Sequence, residues 1–327
     1  MDSLNRILRS KVFTLAVMLF ILILIFTIIT SGRFLSAANM RNILNSMVIV
    51  SFLAVGVAFL IISGCIDLSL GAVGTLCGCL MGIIITNWGL PWYVGFLAAI
   101  ILGIGCGALN AVMVNVLNFQ PFIATLAMAS IAESLSYVIT NGVRIVLDND
   151  AITFIGTARM FGQIPLNMSI SLIFLLVYGI ILAKTKFGRK VYICGSNKQA
   201  ARLVGLNPKK ISYVLFMNAG FLAALSGCIY ASRLKNATVT GISGQQFAGV
   251  TAAILGGVSF GGGSGGMLGC FMGLLVLNVF NNGMLCVGIN TYVQTIFSGI
   301  LLIVALTLDF ISQRNQDILI LKKSLSK

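Results

Sequence analysis

The sequence predicts an all-α polytopic membrane protein, organised as a single transmembrane domain over residues 1–327, and three observations carry the prediction. Hydrophobic residues make up 58% of the chain and charged residues 9%, whereas a soluble domain uses about 25% charged residues to cover its surface. The apolar residues form uninterrupted runs close to the length that a helix needs to cross roughly 30 Å of hydrocarbon. The basic residues lie at the ends of these runs, where charge sets the orientation of a helix in the membrane.

We expect about ten transmembrane helices, of which some are broken or re-entrant near the glycine-rich tracts. The first apolar run is too long for the apolar part of a cleaved signal peptide, and no small-x-small cleavage site follows it, so it is predicted to span the membrane. The eighth span has a short apolar core that ends in two glycines, which favours a re-entrant or broken helix. The predicted spans are 12–30, 46–63, 71–87, 92–117, 121–140, 168–184, 211–232, 246–257, 265–283 and 289–310.

The distribution of lysine and arginine favours an orientation with both termini in the cytoplasm. In that orientation fifteen of the 21 basic residues fall in cytoplasmic segments and six in outer segments, and short cytoplasmic loops are enriched in these residues. The net charge of +14 therefore has a topological explanation. It does not indicate a nucleic-acid partner, because the basic residues are not gathered with stacking aromatics on one soluble module.

Two segments between the predicted spans are long enough to contact other proteins. Residues 184–210 form the longest polar run, carry eight basic residues and no acidic one, and fall on the cytoplasmic side. Residues 141–167 form the longest extracytoplasmic loop, which is too small for a domain but large enough for a short lid or a docking surface. The expected contacts with other proteins therefore lie on opposite sides of the membrane.

Apolar segments interrupted by glycine occur in each half of the chain, around CIDLSL and in the tract GGVSFGGGSGG. Unwound backbone at membrane depth is tolerated where it lines a cavity, so this pattern is typical of a transport pathway. A second interpretation is that the glycines form small-xxx-small packing faces between helices. The predicted helix-flexing glycines are Gly71, Gly74, Gly256, Gly257, Gly261, Gly262 and Gly263.

Polar side chains inside the predicted spans are the candidates for a translocation path, since a charge at membrane depth is costly unless it is paired or faces water. Asp67 either caps the third helix or belongs to the path, and Glu133, which has serine and tyrosine neighbours, is a hypothetical pore-facing acid. Neutral amides can donate and accept hydrogen bonds, which suits the hydroxyl groups of an uncharged polyol. Some of these amides are expected only to form hydrogen bonds between helices. The predicted path residues are Asp67, Ser69, Asn110, Glu133, Asn218, Asn278, Asn282 and Gln294.

The composition of the chain does not favour an enzyme. The chain has no histidine, its carboxylates are sparse and unpaired, and it lacks the GxxxxGK[ST] phosphate loop. We therefore expect no catalytic residue, no cofactor and no metal site, and we expect that the chain does not hydrolyse ATP itself. The eight cysteines are interpreted as small buried apolar residues.

Several stretches resemble the permease subunits of ATP-binding-cassette importers. Within 184–210, Gln199-Ala200-Ala201 is followed after three residues by Gly205, the spacing of the EAA-x3-G signature that these subunits present to their ATPase. FGRKVYICGSN and AARLVGLN around it, GCIDLSLG at 64–71, QPFIATL at 120–126 and AAILGGVSFGGGSGG resemble the ribose-type sugar permeases. The resemblance covers about 39–309. It assigns ATPase coupling to Gly188, Arg189, Gly195, Asn197, Gln199, Ala200, Ala201 and Gly205.

The chain departs from the ribose-type pattern at three places. Gln199 stands where the signature usually has glutamate, and Gln246-Phe247-Ala248 stands where the subgroup usually has a Glu-Leu-Asp run. Glu133 occupies a position where ribose-type members tend to carry a basic residue. The second and third changes fall on expected path elements, so the resemblance predicts the family more firmly than the sugar.

We therefore predict the permease subunit of an ATP-binding-cassette importer in the cytoplasmic (inner) membrane of a bacterium. By resemblance, it pairs with a second permease subunit around a path for a small sugar or sugar-like solute, surrounded by membrane lipid. An extracytoplasmic solute-binding protein would deliver the solute, and cytoplasmic ATPase subunits would hold ATP and magnesium. The alternative is a stand-alone ion-coupled secondary transporter or channel for a small polar solute, which would require a cluster of intramembrane acids.

Overall fold

The computed structural model describes residues 11–160 and 164–325, and the backbone of this part of the chain is mostly helical. Residues 1–10 and 326–327 of the predicted cytoplasmic termini, and residues 161–163 of the predicted 141–167 loop, lie outside the described residues. The helices are α1 (Lys11–Ile29), α2 (Ala37–Ile62), α3 (Leu70–Thr86), α4 (Trp92–Asn115), α5 (Pro121–Thr140), α6 (Asp150–Thr157), α7 (Leu166–Lys184), α8 (Lys186–Ser196), α9 (Lys198–Leu203), α10 (Pro208–Leu234), α11 (Gln245–Leu255), α12 (Met267–Cys286) and α13 (Thr291–Leu325).

Each of the ten predicted spans corresponds to a helix, and eight of these helices in the described residues are long and apolar enough to cross a membrane. The other two are α3, with 17 residues, and α11, with 11 residues. At about 1.5 Å per residue α11 covers only about half of the hydrocarbon thickness. The prediction of a polytopic all-α membrane protein is therefore confirmed.

Two helices extend by more than a turn beyond their predicted spans. Helix α2 begins at Ala37 rather than at residue 46, because the Ser36 hydroxyl accepts a hydrogen bond from the Asn39 N–H and caps the helix there. The last predicted span agrees with the apolar part of α13, Thr291–Ile311, but the helix itself continues to Leu325. Both extra segments are polar, so hydropathy did not indicate them.

The core of the fold consists of α2, α3 and α10, which are enclosed by the other helices. In α2, 89% of the most apolar window is buried, compared with 11% in α1 and 17% in α13. Glycines allow the core helices to approach closely: a Cβ atom on Gly227 of α10 would overlap the carbonyl oxygen of Gly74 in α3. Because α1, and α13 as far as Ile311, expose many apolar side chains, their outer faces are suited to lipid.

The predicted 141–167 loop is a small folded cap in its described part. Strand β1 (Ile145–Val146) pairs with β4 (Asn236–Ala237), and β2 (Arg159–Met160) pairs with β3 (Ile164–Pro165). Between these pairs Asn149 caps α6 through its side-chain oxygen. The cap is attached to α10, because the Ser232 hydroxyl donates a hydrogen bond to the carbonyl of Ile152.

The 184–210 segment, predicted as the connection between two spans, contains two consecutive helices, α8 and α9. Thr185 accepts a hydrogen bond from the Gly188 N–H at the start of α8. Asn197 accepts from the N–H groups of Gln199 and Ala200 at the start of α9. Each cap residue is of a type that favours a helix start.

Candidate functional site

Two features at opposite ends of α2 combine polar side chains with access from outside the protein. A polar cavity lies beside the first turns of α2, next to the α6 cap, and the α8–α9 pair lies against the last residue of α2, Ile62. The α2 residues that line the cavity, Asn42 to Val50, precede Ile62 by 12 to 20 residues. The two features are therefore about 18–30 Å apart along the helix.

The α8–α9 pair is held rigidly against the helical core. The Tyr192 hydroxyl donates a 2.6 Å hydrogen bond to the carbonyl of Gly265, and burial raises the pKa of this phenol, so it remains a donor at neutral pH. Gly195 packs so closely on Ile62 that a Cβ atom there would overlap the Ile62 carbonyl oxygen. That same carbonyl accepts a 2.8 Å hydrogen bond from the N–H of Gly263.

The predicted coupling residues fall into two groups in the structure. Gly188 and Ala201 are buried, and Gly195 packs on Ile62, so these three residues shape the inner side of the pair. The other five, Arg189, Asn197, Gln199, Ala200 and Gly205, are exposed. Only this second group can contact a partner directly, and ATPase coupling itself stays a prediction for both groups.

Sequence reasoning missed the most exposed apolar side chains of this element. Leu203, the last residue of α9, is 89% exposed and Val204 is 68% exposed. Arg202 precedes them and Gly205 follows with a φ of 77°, a left-handed conformation that favours glycine. The sequence held a signal for them, because two adjacent apolar residues inside a basic segment are typical of a surface that contacts a partner.

The glycine tract is an irregular segment between α11 and α12, on the same side as α8. Gly257, Gly262 and Gly263 have positive φ, and the Phe260 N–H donates a 3.0 Å hydrogen bond to Asp309 in α13. The predicted helix-flexing residues Gly256, Gly257, Gly261, Gly262 and Gly263 all lie at or within this segment. The short α11 agrees with the predicted broken or re-entrant helix.

Gly71 and Gly74, the other predicted flexing glycines, lie within the regular helix α3. A Cβ atom on Gly71 would overlap the Gln246 side chain, and one on Gly74 would lie 2.6 Å from the carbonyl oxygen of Ala223. These positions match the small-residue packing interpretation. Flexing at these two positions stays a prediction.

The polar cavity has a volume of about 440 Å³ and lies between α2, α10, α11, α12 and the start of α13. It contains three of the predicted path residues, Asn278, Asn282 and Gln294. Asn281, another amide within a predicted span, also lines it. Sequence reasoning did not single out the other polar side chains that line it, which are Asn42, Ser46, Tyr230, Arg233 and Gln245. Asn42 and Ser46 were a detectable signal, because polar residues at i and i+4 share one face of a helix.

Three other predicted path residues form a separate buried cluster between α2 and α4. Asp67, Ser69 and Asn110 are each at most 1% exposed. The Asp67 carboxylate accepts hydrogen bonds from the N–H and hydroxyl of Ser69, at 2.8 and 2.6 Å, and from the Asn110 amide at 3.1 Å. The proposed capping role of Asp67 is wrong, because Ser69 is the N-cap of α3 and no side chain bonds to the first turn.

The remaining two predicted path residues lie elsewhere. Asn218 in α10 accepts a hydrogen bond from the Tyr178 hydroxyl in α7. Glu133 is exposed on the outer face of α5, and it does not line the polar cavity. The eight predicted residues therefore occupy four places. Besides the polar-cavity group, Asn218 lines a separate cavity of about 400 Å³, whose other lining residues are mostly apolar.

The buried helical core, the polar cavity and the rigid two-helix element at the other end define a membrane transport protein. The family described as "Branched-chain amino acid transport system / permease component" matches residues 39–306, and the chain belongs to this family. It is therefore the permease subunit of an ATP-binding-cassette importer and a multi-pass protein of the cytoplasmic membrane, as the sequence predicts. As such it is a transport subunit and not an enzyme.

Relatives match over nearly the whole chain. The ribose import permease protein RbsC of Bacillus subtilis is 32% identical over 303 residues, which cover 89% of this chain and 90% of the relative. RbsC of Haemophilus influenzae is 34% identical over 89% of this chain and 90% of its own length. The L-arabinose transport system permease protein AraH of Escherichia coli is 28% identical over 86% of this chain and 85% of its own length.

Proposed function

We propose that the chain forms, with a second permease subunit, a path for a small sugar that is driven by two cytoplasmic ATPase subunits. The names of its relatives, which import ribose and L-arabinose, support the sugar. The observation that carries the coupling is the exposed pair Leu203 and Val204 on a rigid helical element. An exposed apolar tip next to a basic residue, Arg202, is better suited to a groove in a partner protein than to contact with water.

The hydrogen bonds of α8 give a physical route from the ATPases to the membrane. Tyr192 links α8 to the glycine tract, Gly263 links the tract to α2, and Asp309 links it to α13. A displacement of α8 would therefore act through the tract on two membrane helices, α2 and α13. This arrangement supports a rigid-body change of access, with ATP and magnesium held by the ATPases and no cofactor held by this chain.

The polar face of α5 supports a second permease subunit. Ser130, Glu133, Ser134 and Tyr137 recur at helical spacing and are all exposed. A carboxylate facing hydrocarbon is costly, so this face is expected to be covered by a partner subunit or by a shared aqueous path. Glu133 would then line the path between two subunits, while membrane lipid covers the apolar faces of the other helices.

The proposed orientation has ten membrane helices with both termini in the cytoplasm. It places α8 and α9, with their basic residues, on the cytoplasmic side, as the enrichment of lysine and arginine favours. The α6 cap and the polar cavity then face outward, where an extracytoplasmic solute-binding protein would dock. The short helix α11 would begin at membrane depth beside the polar cavity and end at the glycine tract, on the cytoplasmic side.

The coupling can be tested with the double variant Leu203→Ser, Val204→Ser in the complete importer reconstituted in liposomes. We expect membrane insertion to be unchanged, while the ATPase no longer co-purifies with the permease and ATP-driven uptake is lost. Leu90→Ser, at an exposed apolar position far along the chain from α9, is the matched control. Uptake driven by an ion gradient without any ATPase would overturn the proposal in favour of an ion-coupled transporter.

A further inference from the structure

Arg233 places a single positive charge in the wall of the outer polar cavity. Its guanidinium donates one 2.8 Å hydrogen bond to the backbone carbonyl of Asn45, which holds the head group in place. A guanidinium has five N–H donors, so this bond leaves most of them available. Among the described residues that line the cavity, Arg233 is the only charged one and none is acidic.

The α12 side of the cavity also presents donors. The side-chain oxygen of Asn281 accepts a 3.2 Å hydrogen bond from the Ser298 hydroxyl. This leaves the NH₂ group of Asn281 to donate into the cavity, and the Asn282 amide lies one residue further along the same wall. The wall therefore combines a cation with amide donors, which suits a ligand rich in acceptor oxygens.

We propose that the cavity is a binding site for a small sugar that bears a carboxylate, with Arg233 as the partner of the carboxylate and the amides of α12 as partners of the hydroxyls. This inference rests on the proposed function and narrows its substrate class. A guanidinium pairs with a carboxylate in a bidentate geometry that a neutral hydroxyl does not match. The volume of about 440 Å³ lies within the range of about 300–1,000 Å³ that is usual for small-molecule sites.

The charge of the cavity can be measured without knowing the substrate. Ser46→Cys places a thiol in the cavity wall, and a Cys286→Ser background removes the one native thiol that is not buried among the described residues. The purified permease is then treated with an anionic and a cationic methanethiosulfonate reagent of similar size. We expect the ratio of the anionic to the cationic reaction rate to fall on the order of tenfold in Arg233→Gln, because a unit charge nearby is lost.

Two further variants keep the proposal falsifiable if Arg233→Gln fails to fold. Arg233→Lys preserves the charge and should preserve the reagent preference. Ala248→Asp introduces a carboxylate into the cavity wall and should lower the ratio by a similar factor. Leu90→Cys, outside the cavity, should show no dependence on any of these changes.

Ligand preference is measured as protection of the same thiol by galacturonate and by its neutral parent galactose. We expect galacturonate to slow the modification and galactose to do so much less, and we expect Arg233→Gln to abolish this difference. Equal protection by both sugars would overturn the proposal. It would also be overturned if the ratio of the anionic to the cationic reaction rate did not change in Arg233→Gln and Ala248→Asp. ATP-driven uptake and its loss in the Leu203→Ser, Val204→Ser variant test the coupling separately, so the two failures are distinguishable.

Discussion

The hydroxyl of Tyr192 donates a 2.6 Å hydrogen bond to the carbonyl of Gly265, which joins helix α8 to the glycine tract. This bond connects a surface that is proposed to contact an ATPase with a segment that also contacts α2 and α13. A hydrogen bond of this kind contributes about 1 kcal/mol to stability. Its position makes it more important for transmitting motion than for stability.

The variant Tyr192→Phe tests this interpretation. We expect the permease to insert and to bind its ATPase, while ATP-driven uptake per ATP hydrolysed falls, because α8 no longer pulls directly on the tract. Uptake and ATP hydrolysis measured in the same proteoliposomes check the result. Tyr292→Phe, at a tyrosine that is 82% exposed, is the control, and an equal loss in both variants would contradict the assignment.

The variant Gly195→Ala tests the close contact between α8 and α2. The added methyl group would overlap the Ile62 carbonyl oxygen and approach the Gly263 N–H at 2.7 Å. Backbone atoms cannot move aside like a side chain, so we expect α8 to be displaced and the apparent Tm to fall by several degrees, with coupling lost. Gly299→Ala, where a methyl group meets no atom within 4 Å, should leave Tm and uptake near the wild-type values.

The buried cluster around Asp67 makes a prediction about stability. Asp67→Ala leaves the Ser69 N–H and hydroxyl without their acceptor and removes one of the two acceptors of the Asn110 amide, at a cost on the order of 3 kcal/mol. Asp67→Asn should cost less than half as much. The Asn110 side-chain oxygen has no partner among the described residues, so rotation of that amide would let it accept from the introduced amide.

Thermal unfolding in detergent, followed by the accessibility of buried thiols, measures this difference. The exposed Asp148→Ala in the outer cap is the control and should leave Tm unchanged. If Asp67→Asn were as destabilising as Asp67→Ala, the charge itself, rather than the hydrogen bonds, would hold the cluster together.

The exposed polar face of α5 makes a prediction about assembly. Ser134→Cys should form an oxidative cross-link between two copies in membranes, because the proposed interface brings this face against the second subunit. Ile180→Cys on α7, which is 59% exposed among apolar neighbours, should not cross-link, because lipid covers it. A cross-link at residue 180 and none at residue 134 would place the interface on another face.

Hydropathy alone was sufficient to predict the ten helices that correspond to predicted spans, because a membrane requires long apolar segments. It did not predict that α2 begins at Ala37, since the Ser36 cap lies in a polar stretch that adds nothing to an apolar average. It also could not show that 184–210 forms two helices, because that segment is held by contacts with residues far away in the chain, such as Gly265.

The candidate site was predicted only in part for a related reason. Asn278, Asn282 and Gln294 were identified because an amide inside an apolar span is conspicuous. Arg233 was assigned to an outer loop, and only packing shows that it lines the cavity. Polar residues within the membrane part, such as Asp67, can form their hydrogen bonds with residues nearby in the chain. A sequence does not show which polar residues do so.

The contact of Gly263 with Ile62 also constrains how the protein is made. Ile62 enters the membrane early in synthesis, while its backbone partner Gly263 leaves the ribosome about 200 residues later. Membrane insertion and folding proceed from the amino terminus during translation, so α8 lacks part of its packing surface until the glycine tract has been synthesised. An unfinished chain would therefore lack the support of the surface that is proposed to contact the ATPase.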